Sequence, residues 1–341
     1  MTNAPSAPSA PEERRPVSRW VRPVGGVIVV AVFIAIASAK LDGAKARAGL
    51  SLLAPWHILI VLALSFLHIG ARATRYHRLV LACGPTDYAW TDGVRIFLLG
   101  LSAAAVTPAR AGDLVKARLV APHGLGLGAG TGLVFVERIL DLVVMTVFSL
   151  TLSFVVRNDA LRAGAALLLV VVLAVVVLCS SERLHGAFGR WIAPPSRRLL
   201  GARYDKVQAT VSGLFVTWTT IFTDPQRALS FLSASFGIWF VEFFKLWVLL
   251  QLMGQHLPLA VVVAAYAASL IAGAVSALPF SEGVVGVTLV AVLASAAGVD
   301  SSTASIAVVV DRAASTLPPI LLWVVFAALL RSRTSRGLGR R

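Results

Sequence analysis

Long apolar runs that carry few charges constrain this chain more than any other feature. They cover residues 24–39, 58–70, 160–179, 229–250, 259–278 and 304–330. A hydrocarbon core of roughly 30 Å takes about 20 helical residues at 1.5 Å each, so such runs suit helices that cross a bilayer. Barrel strands alternate residue by residue, which these Ala-, Leu- and Val-rich stretches do not. The expected fold is therefore all-α, a polytopic membrane helix bundle.

Composition agrees. Apolar residues make up 57% of the 341 positions and charged residues 14%, well under the near-quarter charged share of soluble domains. The formal net charge is +15. The basic residues gather at the ends of apolar runs and form no stripe with interleaved aromatics, so no nucleic-acid partner is expected. Only Cys83 and Cys179 are present, with neither paired spacing nor a His/Cys cluster. No disulfide framework, metal site or cofactor is indicated.

The Pro/Ser/Ala-rich residues 1–23 read as a disordered cytoplasmic tail, 24–330 as a single transmembrane domain, and 331–341 as a basic cytoplasmic tail. Ala37-Ser38-Ala39 offers a small-x-small cleavage pattern, but the long tail before it favours an uncleaved anchor. Basic clusters are held on the cytoplasmic side. Those at Arg72/Arg75/Arg78, Arg183 to Lys206 and Arg331 to Arg341 then mark inner loops and place both termini inside, in a plasma membrane. Residues 96–106 are too short to cross and read as a re-entrant hairpin, which leaves about eight crossings. Lys40, Lys45 and Arg47 run against this topology, since they fall outside. Segment 180–227, with Trp191 and Trp218, joins the halves 56–179 and 228–330 and is expected to hold an interfacial amphipathic helix.

The two halves carry matching interruptions. Pro108-Ala-Arg-Ala-Gly112 and Pro279-Phe-Ser-Glu-Gly283 each follow a small-residue apolar segment, and each precedes an acidic-Arg pair in a later span, Glu137-Arg138 and Asp311-Arg312. With the expected topology the two spans run in opposite directions, which makes an inverted repeat. Broken helices at corresponding positions of two halves point to a polar ligand site near the midplane. Pro108, Gly112, Pro279, Gly283 and Gly286 are the expected helix breaks. The plainer reading is that Pro and Gly simply end ordinary helices at the surface.

Charges inside spans need partners or functions, because insertion at the bilayer centre costs at least ~2.5 kcal/mol each. Glu137 and Asp141 share a helix face, and Arg138 can reach Asp141. Glu242 and Lys245 lie one turn apart and can neutralise each other. Asp311 and Arg312 point different ways and need partners on other helices, for which cross-pairing with Glu137/Arg138 is one arrangement. That leaves Arg110 to hold a lipid phosphate. The alternative is a permanent ionic network that only fastens the bundle. His57 and His68 read as packing or interfacial residues.

Taken in order, Pro108-Ala-Arg-Ala-Gly-Asp-Leu-Val-Lys-Ala-Arg118, Glu137-Arg-Ile-Leu-Asp141, Trp239-Phe-Val-Glu-Phe-Phe244, Leu278-Pro-Phe-Ser-Glu-Gly-Val-Val-Gly286, Gly298-Val299 and Asp311-Arg312 resemble the lysylphosphatidylglycerol synthase transmembrane region, a flippase-like family. The family pattern carries Pro-Gly-Gly-x-Gly-x-x-Glu at the second hairpin, whereas this chain places its acid at Glu282. The resemblance implies association with polar lipids or lipid-linked sugars. It also implies that lysyl transfer, which belongs to an added soluble domain in some members, is not expected of this chain alone.

Three functions follow as expectations. The first is binding or translocation of an anionic or polyprenyl-linked lipid between leaflets, with Arg110, Asp113, Glu137, Arg138, Asp141, Glu282, Asp311 and Arg312 as the substrate-binding candidates. The second is an intramembrane lipid-modifying enzyme or synthase subunit, for which no nucleophile, metal or nucleotide motif speaks. The third is a non-catalytic partner of a cell-envelope glycosyltransferase; a homo-oligomer is a further option.

Overall fold

Helix-starting chemistry sets the frame. Pro55 and Pro225 each occupy a first helical position, where a missing N–H costs nothing, and Asp224 caps its helix by accepting from the amides of Gln226 (2.9 Å) and Arg227 (3.2 Å). The computed structural model describes residues 51, 53–84, 87–105, 107–156, 159–181, 183, 186, 201, 204–276 and 281–338. In order these form α1 (Pro55–Ala82), α2 (Trp90–Ala105), a 3-10 turn (Pro108–Leu114), α3 (Val115–Leu119), α4 (Leu127–Val156), α5 (Asp159–Ser180), α6 (Tyr204–Phe222), α7 (Pro225–Leu252), α8 (Leu259–Ser276), α9 (Ser281–Ala296) and α10 (Ser301–Leu338). There is no strand among the described residues. The expected first span, the N-terminal tail and the loop with Lys40, Lys45 and Arg47 lie outside them, as do the side chains of Arg331 to Arg341 and most of the basic segment after Arg183.

The chain is a polytopic helical bundle. Among the described residues four helices are long and apolar enough to cross a membrane, Pro55–Ala82, Arg162–Ser180, Pro225–Leu252 and Ser301–Leu322, and the shorter Val207–Phe222, Leu259–Gly273 and Gly283–Ala296 accompany them. The 30-residue α4 has the length as well, with Glu137, Arg138 and Asp141 along it.

The repeat is visible as helix order and packing. α1, α2, α3 and α4 answer to α7, α8, α9 and α10. α4 packs on α8 as α10 packs on α2, and α4 meets α7 as α10 meets α1. Register agrees. Ser65 and Arg75 stand ten and twenty positions after Pro55, Ser235 and Lys245 the same distances after Pro225. Glu137-Arg138 and Asp311-Arg312 each begin ten positions into their helices. α1 and α7 pack together in opposite directions: Arg78 donates to Ser230 (2.9 Å), Arg75 to Ser235 (2.6 Å), and His68 lies against Glu242 (3.1 Å). The repeat is therefore inverted, with its two-fold through the α1/α7 crossing.

Three expectations change. Arg72, Arg75 and Arg78 lie within α1, which runs on to Ala82, rather than in a loop; the helix continues because nothing before Cys83 breaks it. The segment expected to lie along the interface contains α6, which packs on α4 and buries Trp218. A Cβ on Gly213 would stand 2.6 Å from Gly128 Cα, so only glycine permits this approach. Gly286 lies inside α9 and not at a break, and Gly283 lies in the first turn of that helix, directly after residues 277–280, which are outside the described residues.

Gly213→Val is expected to cost about 1–3 kcal/mol through overpacking, read as a lower thermal midpoint in detergent. Gly237→Ala, with nothing within 4 Å of its new Cβ, should leave the midpoint unchanged or slightly higher.

Candidate functional site

The chain reverses sharply after α2. Thr107 Oγ1 accepts from the Gly112 amide at 2.7 Å, and the 3-10 turn lies back along α2. Gly100 leaves the room in which Lys116 passes, since a Cβ there would meet Lys116 Cγ at 2.3 Å. Turn and α3 thereby carry Asp113 and Lys116 to the acids of α4.

The first ionic network assembles there. Lys116 Nζ donates to Glu137 Oε2 at 2.5 Å and lies 3.3 Å from Asp113 Oδ1, with the rings of Tyr76 (5.2 Å) and Phe97 (5.5 Å) beneath it. The Arg138 guanidinium pairs with Asp113; one third of its side chain (33%) is exposed, whereas Asp113 is buried. Arg75, 2% exposed, donates to Asp141 Oδ1 at 2.8 Å and to Ser235, and stands 3.8 Å from Glu137 Oε1. Trp239 Nε1 donates to the same Asp141 oxygen at 3.1 Å.

The second network sits in the other half. Lys245 and Asp311, both fully buried, are 3.2 Å apart. Lys245 also donates to Glu242 Oε2 at 2.8 Å and to the Ser315 hydroxyl. Arg312 spans Asp311 Oδ2 (2.7 Å) and Glu242 Oε1 (3.0 Å), over the face of Tyr266 at 4.8 Å. Tyr266 OH donates to Glu242 Oε1 at 2.7 Å. Arg75 facing Glu137 and Asp141 thus corresponds to Lys245 facing Asp311 and Ser315. Each repeat sets one cation of its first helix against the acidic turn of its fourth.

Burial makes these groups consequential. Taking charges out of water costs several kcal/mol each unless partners and hydrogen bonds replace it, and removing one partner leaves that cost unmet. Glu137 Oε1, Asp141 Oδ2, and Arg75 Nε and Nη2 are among the buried atoms of the first network without a hydrogen bond, Arg75 Nη2 facing Glu137 Oε1 at 3.8 Å. They retain capacity for a polar ligand.

Of the residues singled out from sequence, Asp113, Glu137, Arg138 and Asp141 come together in the first network and Asp311 and Arg312 in the second. Glu137 is held by Lys116 and Arg75, and Asp311 by Lys245 and Arg312. The side chains of Pro108, Arg110 and Glu282, and the whole of Pro279, lie outside the described residues. Sequence reading left out Arg75 and Lys116, and read Glu242 and Lys245 only as a self-neutralising pair. The available signal was charge balance: the span around Glu137 holds two acids and one arginine, so cations had to come from elsewhere. Among the described residues no group of three or more His, Cys, Asp and Glu side chains could hold a metal ion.

The profile of the lysylphosphatidylglycerol synthase TM region matches residues 24–322. The chain belongs to that family. Membership makes it a membrane protein of lipid-related function, and within the lysylphosphatidylglycerol synthase TM region both ionic networks and both helical hairpins fall inside the matched span. Among curated proteins none matches the chain.

Proposed function

We propose that this protein binds a polar lipid, with an anionic phospho- or glyco-headgroup, and moves it between leaflets. The observation that carries the reading is the placement of two buried ionic networks on either side of the α1/α7 crossing, where the inverted repeats meet. Transporters built from inverted repeats hold their substrates at such interfaces near the midplane. Arg138 pairs with buried Asp113 yet keeps a third of its side chain exposed, which suits a group that exchanges a protein carboxylate for a headgroup phosphate. Arg110, in the 3-10 turn, and Glu282, at the start of α9, are further headgroup candidates in this reading. In this reading residues 24–330 form one membrane unit in the plasma membrane, the hairpins are re-entrant and both termini face the cytoplasm.

The test uses proteoliposomes containing fluorescent phosphatidylglycerol or a polyprenyl-phosphate lipid, with dithionite quenching to count label in each leaflet. Wild type should equilibrate at least one label faster than protein-free vesicles. Arg138→Ala should slow movement roughly tenfold or more, since a hydrogen bond to a charged group contributes about 1.5–3 kcal/mol. Equal rates with and without protein across both lipids would remove the reading, and a change in lipid mass would favour an intramembrane enzyme instead.

A further inference from the structure

One titratable side chain stands between the two networks without being needed for the charge balance of either. His68 on α1 is 7% exposed, and its Nδ1 lies 3.1 Å from Glu242 Oε2 without making a hydrogen bond. Its ring meets Trp239 edge-on at 6.2 Å, and Trp239 Nε1 donates to Asp141. The imidazole therefore touches the shared acceptor of one network and the ring that caps an acid of the other.

The charges that bear on it are Glu242 and Lys245 from α7, Arg72 from its own helix and Asp141 from α4, with Arg312 of α10 on the same Glu242 carboxylate. α2 brings Asp92 and Arg95, paired to each other at 3.1 Å, near the end where Gly93 meets His77. α6 carries Asp205, exposed, in its first turn.

We propose that His68 is a proton-binding site, and that proton uptake there is coupled to capture of an anionic headgroup by Arg312. This rests on the lipid-translocation reading and adds its coupling ion. With the imidazole neutral, Glu242 and Asp311 balance Lys245 and Arg312. A proton from water on the unprotonated ring nitrogen adds one positive charge in a water-poor site, and an imidazolium beside Glu242 Oε2 competes for that carboxylate. The hold of Glu242 on Arg312 weakens while Asp311 keeps its own, and the guanidinium, still anchored by Asp311, offers the contact given up by Glu242 to a phosphodiester. The entering anion cancels the added charge, so proton and headgroup travel as a neutral pair. Coupling is reciprocal: headgroup affinity rises as pH falls, and bound headgroup raises the protonated fraction of His68.

Two measurements test this. In nanodiscs of phosphatidylglycerol against phosphatidylcholine at equal pH, 15N-histidine NMR should show a larger imidazolium fraction for His68, assigned through His68→Gln, in the anionic discs. The shift should exceed that of exposed His256, which lies outside both networks. Shifts of His68 no larger than those of His256 overturn the proposal whatever the flux. In proteoliposomes with a one-unit pH gradient, wild type should enrich labelled phosphatidylglycerol in one leaflet up to tenfold, and His68→Gln should give a ratio near one whatever its absolute rate. A wild-type ratio of one overturns the coupling and leaves translocation standing. Absence of movement in every vesicle defeats translocation, and the nanodisc result then decides the proton site by itself.

Discussion

Arg75→Met is expected to destabilise the protein by about 3–5 kcal/mol, the range seen when one partner of a buried ion pair is removed. The arginine satisfies Asp141 at 2.8 Å and Ser235 at 2.6 Å while 2% exposed, and it lies where the two repeats cross. Methionine fills similar volume, so the loss reports the uncompensated acid rather than a cavity. Asp141→Leu in the same chain should restore much of the loss, because burying two matched apolar groups is near neutral. Arg78→Ala, three residues away, exposed and bonded to Ser230, should cost no more than about 1 kcal/mol. Thermal midpoints in detergent, compared across the four chains, check this. Equal small effects at Arg75 and Arg78 would mean that Arg75 is hydrated and that the crossing is not held by charge.

That contrast also marks how much the sequence made legible. Membrane helices could be read because bilayer thickness converts directly into run length, and the acids at Glu137, Asp141 and Asp311 stood out because hydrocarbon makes a charge conspicuous. Arg75 did not stand out: beside Arg72 and Arg78 it looks like an orientation signal at a span end, and only the continuation of α1 to Ala82 takes it inside. Lys116 was hidden for a related reason. It follows the hairpin turn with Arg118, and nothing in its neighbours tells that the missing side chain at Gly100 leaves it a path to Glu137.

The repeat shows the same limit. Pro55, Ser65 and Arg75 match Pro225, Ser235 and Lys245 in spacing, but the residues between them face lipid or core and are interchangeable among apolar types, so the similarity is thin as text. Packing and register make it plain. The network in each half joins the first helix of that half to its fourth, Arg75 to Asp141 and Lys245 to Asp311, elements far apart in the chain, which is why neither cluster could be assembled from spacing alone.

The two hairpin glycines give the sharpest test of what a letter match leaves undecided. Gly112 and Gly283 occupy the same place in the Pro-x-x-x-Gly pattern, yet a Cβ on Gly112 would stand 2.2 Å from the Ala103 carbonyl carbon and 2.5 Å from the Ala104 amide nitrogen, whereas one on Gly283 meets nothing within 4 Å. Backbone cannot swing aside as a flexible side chain does. Gly112→Ala must therefore push the 3-10 turn away from α2, and with it Asp113 and Lys116, which the turn and α3 deliver to Arg138 and Glu137. The expected cost is about 3 kcal/mol or more, at the upper end for overpacking, because strain and the loosening of a buried ionic network add. Gly283→Ala should be neutral or stabilising by up to about 1 kcal/mol, since it lies in the first turn of α9, where alanine is the better helix former. Thermal midpoints of the two variants, with labelled-lipid movement measured on each, separate the cases. Similar losses from both would show that the hairpins are equally tight and that the first turn has no special part in holding the network.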